Sequence, residues 1–297
     1  MTNLYGNTTK LFSTPYITIA EYKAAPTAID FDNLVADSTN AAVQDAELKN
    51  AIARGSSWID TFCNQSLGAN TITEQQRSRL RPEGFIAIHP RYSPIVALLD
   101  LQYGVTPNDL VNYPDPSQGW VEDQQFIVPY TAANIMYSSQ GPLQFGMPAL
   151  PRVQVFCKYT YVNGYATTTI AANASAGATS ITVANPIGIT AGLVMSIYNG
   201  ANTETITVAS TYTFGSATIP LTTPLTYAQT SGVGISALPP AVKEAAILAT
   251  TAMIKVRGDY SLTMQVSNQA GQASVNADGT GDLNLAKELL MPYRRIR

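Results

Sequence analysis

Charged side chains are scarce in this sequence. Lys, Arg, Asp and Glu make up 12% of its 297 residues, whereas globular domains carry about 25%. A surface with so few charges indicates either that neighbouring molecules cover much of it or that the protein is a monomer with a weakly charged surface. The net charge of −3 excludes a strong overall field that would draw the chain onto nucleic acid.

Cysteine and histidine are nearly missing. The two cysteines, Cys63 and Cys157, stand in apolar surroundings, so we expect buried thiols and not a disulfide framework. The single histidine, His89, forms no recognisable zinc set with cysteines so far away in the sequence. Phosphate-binding glycine loops, nucleophile elbows and paired-histidine motifs are also missing. The sequence therefore predicts no enzyme activity, no catalytic residues, no metal and no cofactor.

Long apolar runs are missing as well. The chain contains no stretch of about 18 apolar residues, so we expect no membrane span and no membrane partner. Residues Met1–Tyr5 have neither the basic start nor the apolar run of a secretory signal.

One block of the chain has almost no charge. Residues 166–237 contain one charged side chain, Glu204, and sixteen threonines. Short runs in which apolar and polar residues alternate, separated by Gly, Asn and Pro, predict a small all-β barrel or sandwich. The predicted strands are Ser180–Ala184, Val194–Tyr198, Glu204–Ala209, Ala217–Leu221 and Val233–Ala237.

The sequences on either side of this block complete one another. A strand pattern at Val153–Tyr161 precedes it, and Leu238-Pro239-Pro240, which is typical of a helix start, follows it. We therefore predict an α+β protein with a small helical-bundle core and β hairpin elements, formed by residues 1–165 and 238–297. Residues 166–237 form an inserted β domain in this interpretation.

The predicted core has four helices. Thr18 and Glu21 form a capping box that begins a short first helix, and Pro26 ends it. The second helix runs from about Asn40 to Cys63, the third begins at Pro240, and Asp282 caps a fourth at Leu283–Leu290. The second helix has an apolar stripe and the third a face of small residues, which predict packing between helices: Leu48, Ile52, Gly55, Ile59 and Phe62 on the second, and Val242, Ala245, Ala246, Ala249, Ala252, Met253 and Val256 on the third.

Two groups of arginines are candidates for interactions. Arg77, Arg79 and Arg81 alternate with Ser78 and Leu80, so they share one face of a strand. They could meet a phosphate backbone, meet an acidic partner, or form a solvated sheet face.

The second group is the C-terminal tail, which follows Pro292. A helix dipole explains one arginine near a helix C-terminus but hardly three. The tail is therefore either a docking segment or a loose end, and its residues are Tyr293, Arg294, Arg295 and Arg297.

Four segments, in this order along the chain, resemble one protein family. They are similar to its opening short helix, its first long helix, the start of its next helix and its closing element: Tyr16–Lys23, Leu48–Leu67, Leu238–Ala245 and Leu289–Arg295. The family is that of the head-tail connector (adaptor) proteins of long-tailed bacterial viruses. The β block at 166–237 and the long loop at Tyr260–Gly281 depart from its minimal fold.

The resemblance implies a virion structural protein that is assembled in the host cytoplasm. Its subunits would form a homo-oligomeric ring, a dodecamer, which joins the portal protein to the tail and extends the DNA channel. The implied partners are other copies of the chain, the portal, and a tail-side connector or tail terminator protein, while DNA passes through without sequence recognition. The tail arginines would dock into the portal. The alternative is a binding module whose β domain recognises glycan or a host surface, with Tyr198, Tyr212, Phe214 and Tyr227 as candidate contacts.

Overall fold

The computed structural model describes residues 15–27, 29–35, 38–81, 84–129, 154–258 and 280–295. The chain divides into two compact units. The sheet unit contains the described part of 69–164. The mixed unit contains the described parts of 15–68 and 165–295.

The sheet unit is built on seven antiparallel strands in the order β4-β3-β7-β1-β2-β6-β5. The central pair, β1 and β7, is joined over ten residue pairs, from Asn70 opposite Asn163 to Arg79 opposite Gln154. The strands are β1 Asn70–Arg81, β2 Phe85–Ile88, β3 Ile95–Thr106, β4 Asp109–Asn112, β5 Trp120–Glu122, β6 Gln125–Pro129 and β7 Gln154–Asn163.

One face of this sheet carries the core of the unit. Val155, Cys157, Tyr159 and Tyr161 alternate along β7 and are all buried, as expected for a strand with one covered face. The β content is larger than the predicted hairpin elements, because all seven strands join one sheet. Residues 108–119, whose Pro, Asn and Gly content is typical of a loop, contain the short strand β4, which pairs with β3.

The mixed unit contains four helices. The predicted capping box is confirmed: the Glu21 amide donates to Thr18 Oγ1 at 3.2 Å, and the Thr18 amide donates to Glu21 Oε2 at 2.6 Å. Asn40 caps the second helix through the Ala42 amide. The helices are α1 Ile19–Ala24, α2 Ala41–Cys63, α3 Pro240–Gly258 and α4 Thr280–Leu290.

These helices share one apolar core. Leu48, Ile52 and Ile59 of the predicted α2 stripe are buried, and Phe62 is partly buried. On α3, Val242 and the four predicted alanines are buried, and Met253 is partly buried. The Val256 side chain lies outside the described residues. Helix α4 begins earlier than predicted, so Asp282 is not its cap but lies in its first turn, where it accepts from Lys255 Nζ at 2.7 Å.

Residues 166–237 have a second apolar core. Apolar residues of the alternating runs are buried in it, namely Ile181, Val183, Ile206, Val208, Val233 and Ile235. The strands form a four-stranded sheet, β11-β10-β13-β8, and a separate pair, β12-β9. The strands are β8 Thr167–Thr169, β9 Ser180–Thr182, β10 Val194–Tyr198, β11 Glu204–Thr207, β12 Thr218–Pro220 and β13 Gly234–Ser236.

The predicted β content of this block is therefore confirmed, but its sheets stay open, and a closed barrel is not formed within these fully described residues. Strand β8 was not predicted, because three consecutive threonines show no apolar alternation. Across all the described segments, no helix combines the length and the apolar character that crossing a membrane would need.

Candidate interaction site at the C-terminal segment

The site begins where α2 ends. Asn64 follows the helix with φ at 54°, in the left-handed region, a conformation that asparagine adopts more readily than most residues. The Gln65 amide then donates to the Asp60 carbonyl at 3.2 Å. This turn reverses the chain and leaves the Cys63 carbonyl and two amide side chains, Asn64 and Gln65, for other partners.

The C-terminal segment supplies those partners. After α4, Met291–Tyr293 form a 3-10 turn. The Arg295 amide donates to the Cys63 carbonyl at 2.9 Å, Asn64 Nδ2 donates to the Arg295 carbonyl at 3.2 Å, and Gln65 Nε2 donates to the Tyr293 carbonyl at 3.1 Å. Three hydrogen bonds therefore hold the backbone of 293–295 against the end of α2.

Aromatic rings lie beside this junction. Trp58 and Phe62, one helical turn apart on α2, stack with ring centroids 5.7 Å apart and an interplanar angle of 10°. The Arg294 guanidinium carbon lies 5.3 Å from the Phe62 centroid, within the range of a cation–π contact. Met291, just before the segment, is 60% exposed. We call Trp58, Phe62, Met291, Tyr293 and Arg294 the aromatic–arginine surface.

Buried polar groups fix the turn below this surface. The Tyr16 hydroxyl donates to the Asp60 carboxylate and accepts from the Leu67 amide at 2.9 Å. Burial, reinforced by Asp60, raises the pKa of Tyr16 well above its ordinary value, so this hydroxyl stays protonated. The junction between α2 and the following chain is therefore held by a neutral donor and a carboxylate.

The thiol at the site is inert. Burial, with a further contribution from Asp60, raises the pKa of Cys63 to about 12, and Cys157 in the sheet unit is raised to about 11, chiefly by burial. Both cysteines are free and buried, which confirms the predicted buried thiols. Because the thiolate is the reactive form, neither thiol is a nucleophile near neutral pH.

The predicted tail residues thus have definite positions. Tyr293, Arg294 and Arg295 lie at the α2 junction, and Arg297 lies outside the described residues. The α2 residues that hold them were not identified from the sequence as part of a site. A signal was present in Trp58 and Phe62, a pair of aromatics four residues apart at the edge of the apolar stripe, which are neighbours on a helix.

Other candidates do not assemble into a site. His89 is exposed at the end of β2, and the described residues contain no group of three or more His, Cys, Asp or Glu side chains placed to hold a metal. Of the four aromatics considered for glycan binding, Phe214 and Tyr227 are 42% and 41% exposed, whereas Tyr212 is buried and Tyr198 is half-buried.

A cleft of about 710 Å³ lies in the mixed unit between α1, α2 and the β block. Its charged side chains pair with one another, Lys23 with Asp45 at 2.5 Å and Lys243 with Glu21 at 2.7 Å. Lys49 also lines it and is exposed. Among the described lining residues, no buried charge is left unpaired for a ligand.

No protein-family model and no curated protein matches this sequence. Among solved structures, the chain is similar to one described as the neck of an empty GTA particle computed with C6 symmetry. The similarity has 10% sequence identity and covers 95% of this chain and 94% of that chain, with a TM-score of 0.35. A TM-score of this size carries no argument about the function of the present chain.

Proposed function

We propose that this chain is a virion structural protein of the head-tail connector type. In this role, copies of the chain form a ring, a dodecamer, that joins the portal protein to the tail side and extends the DNA channel. The tail-side partner is a further connector or a tail terminator protein. The role is one of assembly and involves no catalysis.

One observation carries the proposal. The four segments that resemble the connector family are spread over almost the whole sequence, yet they meet in one apolar core. That core contains Tyr22 from the first segment, Leu48 from the second, Val242 from the third and Leu290 from the fourth, each fully buried. Chance similarity of four short segments gives no reason for all of them to pack together.

The aromatic–arginine surface supports a protein partner at the C-terminal segment. Trp58, Phe62 and Tyr293 are partly buried, while Met291 and Arg294 are exposed. Aromatics, methionine and arginine are the side chains that interfaces favour. The backbone of 293–295 is already bound to α2, so ordering this segment on binding costs little conformational entropy. We assign the portal as the partner of this surface.

Ring formation is tested by imaging the purified chain. Negative-stain electron microscopy and native mass spectrometry should show closed rings with an open channel and one dominant copy number. Cyclic rings form when one face of a subunit binds a different face of the next and the rotation closes. Monomers at all protein concentrations, including in the presence of the portal, would contradict the connector role.

Portal docking is tested by substitutions within the aromatic–arginine surface, and thermal unfolding of each variant reports any loss of the contact between Tyr293 and the helical core. We expect Tyr293→Ala combined with Arg294→Gln to weaken binding to the portal at least tenfold, because a desolvated aromatic–arginine anchor supplies much of an interface energy. Lys287→Gln, which removes an exposed cation from α4, is the matched control and should leave the affinity unchanged. Truncation after Met291 should be at least as damaging, but it also removes the hydrogen bonds to α2.

DNA is the rival partner for these arginines. Phosphate contacts weaken steeply as salt rises, whereas an aromatic anchor is less sensitive. Measuring portal affinity at two salt concentrations therefore distinguishes portal docking from DNA binding by this segment. If the double variant binds the portal as the parent does, the docking assignment is wrong.

A further inference from the structure

The arginine row of β1 lies in the middle of the sheet unit. Ser78 and Leu80 are buried, while Arg77 and Arg79 are exposed and Arg81 is partly exposed. The predicted alternation is therefore confirmed, and the three arginines lie on the face opposite the core. Since β1 is the central strand of seven, this row lies on an inner strand and not on an edge strand, and it occupies the last five residues of β1.

The neighbouring strand continues the same character. Gln154, Phe156 and Lys158 of β7 share the outward face and stand opposite Arg79, Arg77 and Gln75 of β1. The Arg77 guanidinium carbon lies 4.8 Å from the Phe156 centroid. The two central strands thus present four cations, with amide side chains among them.

These cations are not neutralised within the described residues. The ion pairs found there all involve other cations, in the mixed unit. Glu74 of β1 points to the core side, where it accepts from the Tyr159 and Tyr161 hydroxyls at 2.9 Å each. Two acids share the outward face among the described strands. Asp100 on β3 lies opposite Thr160, two residues from Lys158 along β7, and Glu122 lies on the edge strand β5.

We propose that this outward face, centred on Arg77, Arg79, Arg81 and Lys158, binds the phosphate backbone of duplex DNA without reading its bases. A row of arginines that form no ion pair within the described residues suits a polymer with regularly repeated negative charge, and guanidinium groups match phosphate geometry. Arg81 also donates a hydrogen bond to Gln125 Oε1 at 3.0 Å. Arg77 packs on the Phe156 ring, which leaves less of this ring for stacking on a base and favours backbone contact over single-strand binding.

This proposal rests on the proposed function in one respect: the DNA would be the viral DNA that passes through the connector. It concerns a different surface from the aromatic–arginine surface and is tested on its own. The probe is a fluorescently labelled 30-base-pair duplex, whose anisotropy is followed with the full-length protein at several salt concentrations between 50 and 200 mM.

The informative variant is Arg77→Gln with Arg79→Gln. Log affinity falls as log salt rises, and each lost phosphate contact makes this fall less steep by about 0.9. The steepness should therefore decrease by about 2, and the Kd at 50 mM salt should rise about tenfold or more. Lys49→Gln with Lys287→Gln removes the same charge from two exposed positions of the mixed unit and should bind as the parent does. Thermal unfolding of both variants verifies the fold.

Several outcomes would overturn the assignment: no duplex binding by the parent at 50 mM salt, or equal weakening in the control variant. Equal or tighter binding of a 30-nucleotide single strand would exclude the duplex. Displacement of DNA by polyglutamate at equal charge would assign the face to an acidic protein instead.

The connector role and the DNA-binding face can be refuted independently of each other. If the protein forms rings but the variant Arg77→Gln with Arg79→Gln binds the duplex as the parent does, the DNA-binding inference is wrong and the connector role stands. Monomers that bind the duplex through Arg77 and Arg79 would refute the connector role and keep this inference.

Discussion

Lys243 shows how one residue joins distant parts of the mixed unit. Its ammonium lies 2.7 Å from the Glu21 carboxylate, and the two side chains are 9% and 7% exposed. It also lies 3.6 Å from the Tyr198 ring centroid. One side chain of α3 therefore contacts α1 and the β block at once, in surroundings with little water.

The pair should be costly to break but dispensable as a whole. Lys243→Met leaves the Glu21 carboxylate buried without its cation, and we expect a loss of about 3–5 kcal/mol in the free energy of unfolding. The double variant Glu21→Gln with Lys243→Met removes both charges and should be close to the parent, since Gln also serves the capping box. Urea unfolding measures both. A double variant as unstable as the single one would show that the charges are needed.

The same residue predicts a dependence on pH. Burial lowers the pKa of Lys243, and Glu21 only partly offsets this. Between that lowered pKa and the unfolded value of about 10.4, the unfolded chain binds a proton that the folded chain lacks. The contribution of this group to stability therefore rises with pH across that window. The stability difference between parent and double variant should shift in favour of the parent as the pH rises toward 10.

At the scale of elements, α2 and α3 touch through a glycine. A Cβ atom on Gly55 would lie 2.8 Å from Thr250 Oγ1 and 3.0 Å from the Thr250 backbone nitrogen. Thr250 Oγ1 is itself engaged, donating to the Ala246 carbonyl at 2.7 Å. The close approach of the two helices therefore depends on the missing side chain at position 55.

Gly55→Leu should separate these helices. Overpacking of a buried contact costs about 1–3 kcal/mol. Here the obstacles are the Thr250 hydroxyl, which is held by its hydrogen bond to Ala246, and the Thr250 backbone behind it. Ala46→Leu, at an exposed position of the same helix, is the matched control and should change stability by less than about 0.5 kcal/mol. The difference in stability between the two variants is measured from their denaturant unfolding midpoints, provided that the dependence of the unfolding free energy on denaturant concentration is the same in both. Equal stability of the two variants would mean that the helices are not in close contact at Gly55.

At the scale of the molecule, the mixed unit has two separate apolar cores. One is shared by the helices, and the other lies within residues 166–237. The ends of the β block are adjacent in space, because the Ala237 amide donates to the Ala166 carbonyl at 2.8 Å. A loop whose ends lie close together tolerates the insertion of a domain.

We therefore expect the β block to be removable. Replacing 167–237 with a short Gly/Ser linker should leave the helical circular dichroism and a cooperative thermal melt, because the helical core keeps its own contacts. Lys243 loses its contact with Tyr198 and gains water, which should lower the melting temperature without unfolding the chain. Loss of the helical signal or of cooperativity would show that the block is an integral part of the core.

The sequence by itself determined the local features of this protein. The capping box at Thr18, the stripe of α2, the alternation along β1 and β7, and the strand at Val194–Tyr198 could all be predicted. Each depends on the spacing of residues within a few positions, where the periods of helix and strand leave one choice of buried face. The alternation in residues 166–237 likewise predicted their β content.

Only the tertiary structure decided which distant residues meet. The order of the seven strands, the Glu21–Lys243 pair and the contact between 63–65 and 293–295 join positions far apart in the chain; Asn64 and Arg295 are 231 residues apart. A strand or an exposed amide can pair equally well with many partners on local energy alone. Which partner is chosen depends on how the apolar cores pack, and that packing involves residues from the whole chain, not from one short stretch.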